Sequence, residues 1–210
     1  MVHAASVAVQ MGTGEVEVLD FAGPFEVFGI TGERDGSELF KVSTVAADRR
    51  PVQARNGLSI NPTYGFGECP PCQLLVILGG FGTRRQKNKA VTLDFIRRQA
   101  ATADRVLSVC TGALLLAKAG LLDGLSATTH HGALAELRED APSTTVLDQA
   151  RVVDNGKVVL SAGISAGIDA ALYTVAELHG LEQAVETATY MEYDWHHRAA
   201  DGSTIIRAGG

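Results

Sequence analysis

The chain has 210 residues, of which 46% are hydrophobic and 20% charged, and its formal net charge is −6. This length fits one domain with its own hydrophobic core, and we expect a single domain over residues 1–210 because no Ser/Gly-rich, Pro-rich or repeated tract divides the chain. The negative charge argues against a nucleic-acid-binding protein, in which Lys and Arg cluster on one face.

Short apolar runs alternate along the chain with longer segments of helical periodicity, a pattern typical of βα units that build a mostly parallel sheet. Strands are predicted over residues 6–11, 40–46, 74–78, 105–109 and 127–129. A β-hairpin is predicted from residues 152–153 and 157–160, which flank Asp154-Asn155-Gly156. Helices are predicted to begin near Gly23-Pro24 and near Ala90, and to follow Cys110, His131, Ser165 and Leu181.

The amino-terminal sequence MVHAASVAVQM lacks the basic region and long apolar stretch of a secretion signal. No apolar run reaches the ~18–20 residues that a membrane helix requires. Cys69, Cys72 and Cys110 are odd in number, which favours reduced thiols over a disulfide framework. We therefore expect a cytoplasmic protein without a membrane partner.

Cys110 stands at the junction between the predicted strand RVLSV and an Ala/Leu-rich helix. A thiol at a helix N-terminus faces unpaired N–H groups and the positive end of the helix dipole, so its pKa is predicted to fall below the ~8.5 of a free cysteine. Such a thiolate is a nucleophile near neutral pH, although a cysteine at a strand end can equally be an inert packing residue. Thr111 and Gly112 follow, and the Thr111 backbone N–H is a candidate donor to a developing anion.

Other segments place polar groups or bare backbone beside predicted strand ends. Gly79-Gly80 follows a buried strand and either approaches a ligand closely or forms a tight turn. Asp20 lies just before a predicted helix start, where it could act in chemistry or as an N-cap. His130 and His131 end a strand, where either imidazole could exchange protons near neutral pH.

A fifth segment, residues 160–169, passes from a predicted strand to a helix through glycines, which backbone crowding or an N-cap at Ser165 also explains. Taken in chain order, these five segments resemble the ThiJ/PfpI superfamily, a branch of the class I glutamine-amidotransferase-like folds, over roughly residues 6–195. The most specific pieces are LDFAGPFEVFG, ILGGFGTRR, SVCTGALLLAKAGLLDGLSATTH and SAGISAGIDAAL. The resemblance implies a flavodoxin-like three-layer α/β sandwich, with a mostly parallel sheet, helices on both faces and a small β-hairpin. An aspartate placed as Asp20 is here is similar to the isocyanide hydratase branch, whereas the deglycase branch has glutamate.

The resemblance also implies a reaction. Cys110 would attack the terminal carbon of an isocyanide to form a thioimidate, Asp20 would transfer protons, and water would release an N-substituted formamide. Gly79, Gly80 and Thr111 would supply backbone contacts, and His130 matches the place of a pocket histidine. The resemblance implies no cofactor and no metal, a small-molecule substrate as the partner, and a homodimer.

Two alternatives remain open: a glyoxalase or deglycase-type enzyme, and a non-enzymatic thiol-based sensor, since a similar domain forms the ligand-binding half of some AraC-type regulators. The segments GGFGTRR and YMEYDWHHRAADG depart from the hydratase pattern and could shape another substrate. Arg84 and Arg85 belong to a local basic cluster that is either solvated or a contact for an anionic substrate.

Three further motifs receive weaker interpretations. Cys69-Pro-Pro-Cys72 has the spacing of a dithiol redox centre, but it precedes a strand instead of opening a helix. The adjacent His196-His197 pair is a poor zinc site because no second ligand pair stands at a suitable spacing. Tyr190, Tyr193 and Trp195 lie along a predicted terminal helix, where an aromatic stripe favours core packing or a subunit interface.

Overall fold

The computed structural model of the chain describes residues 4–11, 14–196 and 204–207. Its centre is an eight-stranded sheet of strand order β12-β10-β11-β7-β6-β1-β2-β5, in which all neighbours are parallel except β10 and β11. These strands are β1 (Ala5–Gln10), β2 (Phe40–Ala46), β5 (Tyr64–Gly65), β6 (Leu74–Ile77), β7 (Arg105–Val109), β10 (Ala150–Asp154), β11 (Val158–Ser161) and β12 (Thr204–Arg207). The short strands β3 (Val52–Gln53) and β4 (Ser59–Ile60) pair with each other, as do β8 (Ser126–Ala127) and β9 (Thr145–Val146).

Helices cover both faces of the sheet. The helices are α1 (Val18–Ile30), α2 (Thr83–Gln86), α3 (Ala90–Thr102), α4 (Gly112–Lys118), α5 (Leu134–Asp140), α6 (Ala166–His179) and α7 (Leu181–Tyr190). Helices α1, α6 and α7 pack together on one apolar cluster of the core, and α3, α4 and α5 lie on the other. The predicted flavodoxin-like three-layer sandwich is therefore confirmed, and so is the antiparallel hairpin, which joins the main sheet through β11.

Helix α1 begins earlier than the sequence suggested. The prediction near Gly23-Pro24 is wrong, because the helix starts at Val18 and contains Pro24. Glu17 has extended backbone dihedrals and is the N-cap residue, so Asp20 lies in the first helical turn and not at the cap. Pro24 has no N–H to donate to the carbonyl of Asp20 four residues earlier, and the helix continues without that bond.

Other boundaries also differ from the prediction. The strand predicted over residues 127–129 is only Ser126–Ala127, because its partner strand β9 pairs with these two residues alone. The hydroxyls of Thr128 and Thr129 donate to the carbonyls of Ala150 and Cys110. The predicted terminal helix ends at Tyr190, so Tyr193 and Trp195 lie beyond it.

Glycines allow α1 and α6 to approach each other and the sheet closely. A β-carbon on Gly23 of α1 would lie 2.8 Å from Ile168 Cγ1 of α6. A β-carbon on Gly167 of α6 would lie 2.8 Å from Val109 Cγ1 of β7. Separations under about 3 Å are closer than real side chains pack, so both contacts require glycine.

None of the helices in the described ranges combines the length and the apolar character that a membrane crossing requires.

Candidate active site

Three parallel strands end at the same edge of the sheet and bring three turns together. Strands β11, β7 and β6 are neighbours in that order, so the residues after each one meet at their carboxyl ends. Gly79 lies just after β6, Cys110 directly after β7 and Ile164 in the turn after β11. Cys110 is therefore flanked by backbone from both neighbouring strands.

The chain turns sharply at Cys110, which has a left-handed φ of 55°. Its N–H donates to the carbonyl of Ala162 at 3.0 Å, and its carbonyl accepts from Thr129 Oγ1 at 2.7 Å. A β-carbon on Gly112 would lie 2.3 Å from the Ile77 carbonyl oxygen, so glycine is needed where α4 begins. A non-glycine residue at positive φ is strained and is held by its surroundings. The tight strand-to-helix turn predicted at Cys110 is confirmed.

The Asp20 carboxylate lies next to this turn and is fully buried, with 0% exposure. Neither of its oxygens makes a hydrogen bond of ordinary geometry within the described part of the chain. The Cys110 thiol and the N–H groups of Gly79 and Ile164 nevertheless lie close enough to lower its pKa. A buried carboxylate without full hydrogen bonding costs stability, which indicates a role other than structural support.

Burial raises the pKa of both groups. Desolvation raises the pKa of Asp20 to about 7, and the negative charge of Glu17 adds to that rise. Desolvation also raises the pKa of the Cys110 thiol to about 12, with the Asp20 charge as the next cause, against the opposing backbone N–H groups of Thr111 and Ile164. The prediction of a lowered thiol pKa is therefore wrong, because burial and a neighbouring carboxylate outweigh the helix terminus.

The predicted backbone residues surround the pair. A β-carbon on Gly79 would lie 2.6 Å from both Asp20 Oδ2 and Thr111 N, and 2.7 Å from Cys110 Cβ, so only glycine fits there. Gly80 has a φ of 123°, and its N–H donates to Thr111 Oγ1 at 3.0 Å. The Thr111 hydroxyl also accepts from Thr83 Oγ1 at 3.1 Å. Gly80 N–H is thus directed to a side chain of the protein, and Thr111 N–H faces the sulfur.

A pocket of about 250 Å³ opens above Cys110, which is 5% exposed. The pocket is lined by Glu17, Arg55, Gly80, Phe81, Arg84, Cys110, Thr111, His130, Gly132 and Ile164. Arg55 Nη1 contacts Glu17 Oε2 at 2.8 Å, and its guanidinium carbon lies 4.9 Å from the centroid of the Phe81 ring. Phe81 and Ile164 contribute apolar surface to the pocket, and Glu17, Arg55 and Arg84 contribute charged groups.

His130 lines the same pocket, as the sequence suggested, whereas His131 does not. Its Nδ1 accepts from Gly132 N–H at 3.1 Å, so in the neutral ring the proton is on Nε2. Burial lowers the pKa of His130, and the positive charges of His131 and Arg84 lower it further. The imidazole is therefore neutral at pH 7 and can donate a hydrogen bond through Nε2.

Sequence reasoning did not identify Glu17, Arg55, Phe81 or Ile164 as site residues. Ile164 has a φ of 55°, and no local motif in the sequence indicated this conformation. Its position in the turn after a predicted strand was a signal that could have placed it near Cys110. Arg55 comes from a 3₁₀ turn, Arg55–Gly57, that is remote in sequence and carries no such signal.

The other thiols lie apart from this pocket. Cys69 and Cys72 are free, and burial raises the pKa of both. In the part of the chain that the structure describes, no group of three or more His, Cys, Asp or Glu side chains could hold a metal ion. His197 of the His196-His197 pair lies outside the described residues.

Comparisons with known proteins relate this geometry to a family. The chain matches the sequence model of the DJ-1/PfpI family over residues 5–177. It is 39% identical over 179 residues to an isonitrile hydratase of Pseudomonas putida, a match that covers 85% of this chain and 75% of the relative. It is 29% identical over 177 residues to the HTH-type transcriptional regulator GbdR of Pseudomonas aeruginosa, where the match covers 84% of this chain and 48% of the regulator.

Solved structures give the same relationship. A ThiJ/PfpI family protein from Pseudomonas syringae superimposes with a TM-score of 0.84 at 33% identity, over 93% of this chain and 77% of that one. DJ-1beta of Drosophila melanogaster superimposes with a TM-score of 0.80 at 21% identity, over 92% of this chain and 100% of that one, which is a likeness of fold.

Proposed function

The chain belongs to the DJ-1/PfpI family, and from this membership we propose that it is a cysteine-dependent hydratase that converts an isocyanide to an N-substituted formamide. The observation that carries the proposal is that Cys110 lines a pocket and has the buried carboxylate of Asp20 beside it. Similarity to the isonitrile hydratase of Pseudomonas putida supports this choice of substrate.

The first half of the reaction adds the thiol to the substrate. Asp20, as a carboxylate, accepts the thiol proton while the sulfur of Cys110 bonds to the terminal isocyanide carbon. The protonated Asp20 then gives that proton to the same carbon, which leaves a thioimidate, R–N=CH–S–Cys110, and a carboxylate again. Since the thiol pKa is raised, the nucleophile forms only as its proton is taken by this general base.

The second half consumes one water molecule. Asp20 takes a proton from water as the oxygen bonds to the thioimidate carbon, and it passes this proton to the substrate nitrogen. The carbon–sulfur bond then breaks, the hydroxyl proton returns through Asp20 to the sulfur, and R–NH–CHO leaves. The net change is the addition of one water to the isocyanide.

The surrounding groups have supporting roles in this proposal. Gly79 and Thr111 bring backbone close to the pair, and the N–H groups of Thr111 and Ile164 stabilise negative charge on the sulfur. His130, with its proton on Nε2, donates to the substrate nitrogen. Gly80 acts indirectly, because its N–H holds the hydroxyl of Thr111.

Turnover of a neutral alkyl isocyanide tests the proposal. Purified protein is expected to convert cyclohexyl isocyanide to N-cyclohexylformamide, followed by chromatography, and Cys110→Ala is expected to abolish this activity. Cys69→Ala is the matched control, since this thiol lies outside the pocket lining, and it is expected to retain full activity. If wild-type protein leaves the isocyanide unchanged but consumes glyoxal-type carbonyls, the glyoxalase or deglycase alternative replaces this proposal.

A sensor function is the second candidate, and similarity to the regulator GbdR favours it. This chain spans about half the length of that regulator. In a sensing role, the signal would be either a small molecule that binds in the pocket or an oxidant that converts the Cys110 thiol to an oxidised form. Mass spectrometry after mild peroxide treatment distinguishes the candidates: a sensor accumulates oxidised Cys110 and turns over none of the isocyanide.

We further propose that the protein works in the cytoplasm, with a small molecule as its ligand. All three cysteines are free thiols in the structure, which suits a reducing compartment.

A further inference from the structure

Arg84 and Arg85 are adjacent in helix α2, but their side chains have different surroundings. Arg85 Nη1 pairs with Glu15 Oε2 at 2.8 Å, and both side chains are more than half exposed. Arg84 lines the pocket that contains Cys110, and its Nη2 contacts Glu136 Oε2 at 2.9 Å. The hydration chemistry proposed above needs no cation at this position, so Arg84 is left without a role.

The positive charge of Arg84 is only partly balanced by its neighbours. Glu136 also accepts from Lys87 Nζ at 2.9 Å, and Asp140 is shared between Lys87 and Lys118, the latter at 2.8 Å. Three cations therefore share two carboxylates, and this network carries one net positive charge. The network meets the pocket at Arg84, because its other members are absent from the pocket lining.

The other two charged side chains of the pocket lining are paired with each other. Glu17 and Arg55 form a 2.8 Å ion pair and neutralise each other. His130 is neutral near pH 7, and the charge of Arg84 is one reason why the pKa of His130 is lowered. The charge of Arg84 therefore acts on His130, as does the opposite charge of Glu17. The contacts of Arg84 with Glu136 engage Nε and Nη2, and a guanidinium has five N–H donors.

We propose that the substrate carries an anionic group, a carboxylate, that Arg84 binds while the isocyano carbon reaches Cys110. This inference rests on the proposed function and narrows its substrate class to short isocyanides with a carboxylate on the substituent. A pocket of about 250 Å³ holds such a molecule beside Phe81 and Ile164. For isocyanoacetate, addition of one water gives N-formylglycine, and the carboxylate is unchanged.

A matched pair of substrates tests the role of Arg84. Wild-type protein is expected to hydrate isocyanoacetate with a kcat/KM at least about tenfold above that for the neutral methyl ester. A factor of this size is what one hydrogen bond between charged groups contributes to binding. Arg84→Met is expected to lower kcat/KM for isocyanoacetate more than for the ester and so to remove this preference, and Arg84→Lys is expected to restore part of it. Arg85→Met is the matched control, because the neighbouring arginine pairs with Glu15 away from the pocket, and its preference is expected to equal that of wild type.

Glu136→Gln supplies a second variant with the opposite expected effect. Removing the carboxylate that pairs with Arg84 leaves more positive charge at the pocket, so the preference for isocyanoacetate over its ester is expected to increase. Thermal unfolding of each variant identifies any loss of folding. If wild type prefers the methyl ester or treats both substrates alike, the anionic-substrate inference is overturned while the hydratase proposal stands.

Alkylation of Cys110 tests the same inference without any isocyanide. Iodoacetate and iodoacetamide have nearly the same shape, but only iodoacetate is negatively charged. In the reaction of either reagent with Cys110, a sulfur–carbon bond forms, iodide leaves and the thiol proton is released. The ratio of the iodoacetate rate to the iodoacetamide rate, read by mass spectrometry of the Cys110 peptide, is expected to fall about tenfold or more in Arg84→Met and to stay unchanged in Arg85→Met. An equal ratio in wild type and Arg84→Met overturns the inference. A lower ratio in Arg84→Met together with no isocyanide turnover rejects the hydratase proposal and leaves an anion-selecting pocket.

Discussion

Cys110 and Asp20 share an interior site in which at most one negative charge is held near neutral pH. Burial raises the pKa of each, and the charge of either group opposes ionisation of the other. Such a pair titrates as a unit, and its first ionisation is centred near the raised pKa of Asp20. The pair as a whole is therefore poised to change protonation near physiological pH.

The pH dependence of activity follows from this order of ionisation. If Asp20 must be ionised to accept the thiol proton, kcat/KM is expected to rise about tenfold per pH unit below pH 7 and to level off above it, because the pKa of Asp20 is about 7. Steady-state rates with an isocyanide between about pH 5 and pH 9 measure this.

Glu17→Gln is the informative variant for that profile. The charge of Glu17 raises the pKa of Asp20, so its removal is expected to shift the rising limb to lower pH. A wild-type profile that is flat through pH 7 would contradict the assignment of Asp20 as the base.

Replacing Asp20 by Asn is expected to abolish turnover and to stabilise the folded protein above pH 7. The folded pKa of about 7 lies above the ordinary value of 3.8, so the stability associated with the protonated carboxyl is complete below pH 4 and is lost as pH rises to 7. At pH 8 the variant is expected to exceed wild type by ~1–4 kcal/mol, at ~1.4 kcal/mol per pKa unit.

Urea unfolding at pH 4.5 and pH 8 measures the effect of Asp20→Asn on the free energy of unfolding. Asp94→Asn, at an exposed ion pair on α3, is the control and is expected to have little effect at either pH. Equal stability of wild type and Asp20→Asn at pH 8 would show that the carboxyl is not held in an unfavourable site.

At the scale of elements, the turns after β6, β7 and β11 determine where the reacting groups lie. Gly79→Ala tests this arrangement, since the added methyl group would lie 2.6 Å from Asp20 Oδ2 and 2.7 Å from Cys110 Cβ. Either the carboxylate or the turn must move, so we expect a loss of at least about a hundredfold in kcat and a cost of ~1–3 kcal/mol in stability.

Gly29→Ala is the matched control on α1. A β-carbon there would meet no atom within 4 Å, and alanine is expected to leave kcat unchanged and to stabilise the helix by up to ~1 kcal/mol. Full activity in Gly79→Ala would contradict the close packing described at the site.

Parts of this arrangement could be predicted from the sequence because they depend on local patterns. The apolar strand before Cys110, the glycines after β6 and the glycines within residues 160–169 marked the three turns. The start of α1 could not be predicted from Pro24, because tertiary packing keeps a proline inside a helix that local preference would begin later. The raised pKa of Cys110 escaped prediction for a similar reason: burial by distant segments decides it, whereas the helix terminus beside it was visible in the sequence.

At the scale of the molecule, the alternation of strands and helices in the sequence predicted the architecture. The order of the strands within the sheet could be determined only from the structure. The edge strand β12 (Thr204–Arg207) pairs with β10 and had no counterpart among the predicted strands. Residues from both the first and the last thirds of the chain reach the site only because β1, β6, β7 and β11 lie side by side.

The predicted homodimer belongs to this scale as well. Four large apolar side chains at the end of α6 and on α7 are exposed by 39–55%: Leu178, Leu181, Val185 and Tyr190. We propose that this surface forms the subunit contact, since burying it removes apolar area from water. Size-exclusion chromatography with light scattering is expected to give twice the mass of one chain.

A charge on that surface is expected to separate the subunits. Leu181→Glu and Val185→Glu should give the mass of one chain, whereas Val91→Glu, at an exposed apolar residue on α3, should leave the dimer intact. A monomeric wild type at every concentration tested would contradict the proposal, and a dimer that survives both α7 substitutions would assign the contact to another surface.

The close approach of α1 to α6 has a consequence for substitutions made far from the sulfur. Asp20 is carried by α1 and Cys110 follows β7, and α6 packs against both α1 and β7, so the position of α6 affects how near the proton acceptor comes to its thiol. A methyl group on Gly23 would press against Ile168 of α6, and one on Gly167 would press against Val109 of β7. In a library of random variants, these two interior positions should therefore tolerate replacement as poorly as the reacting residues themselves, although neither one touches a substrate.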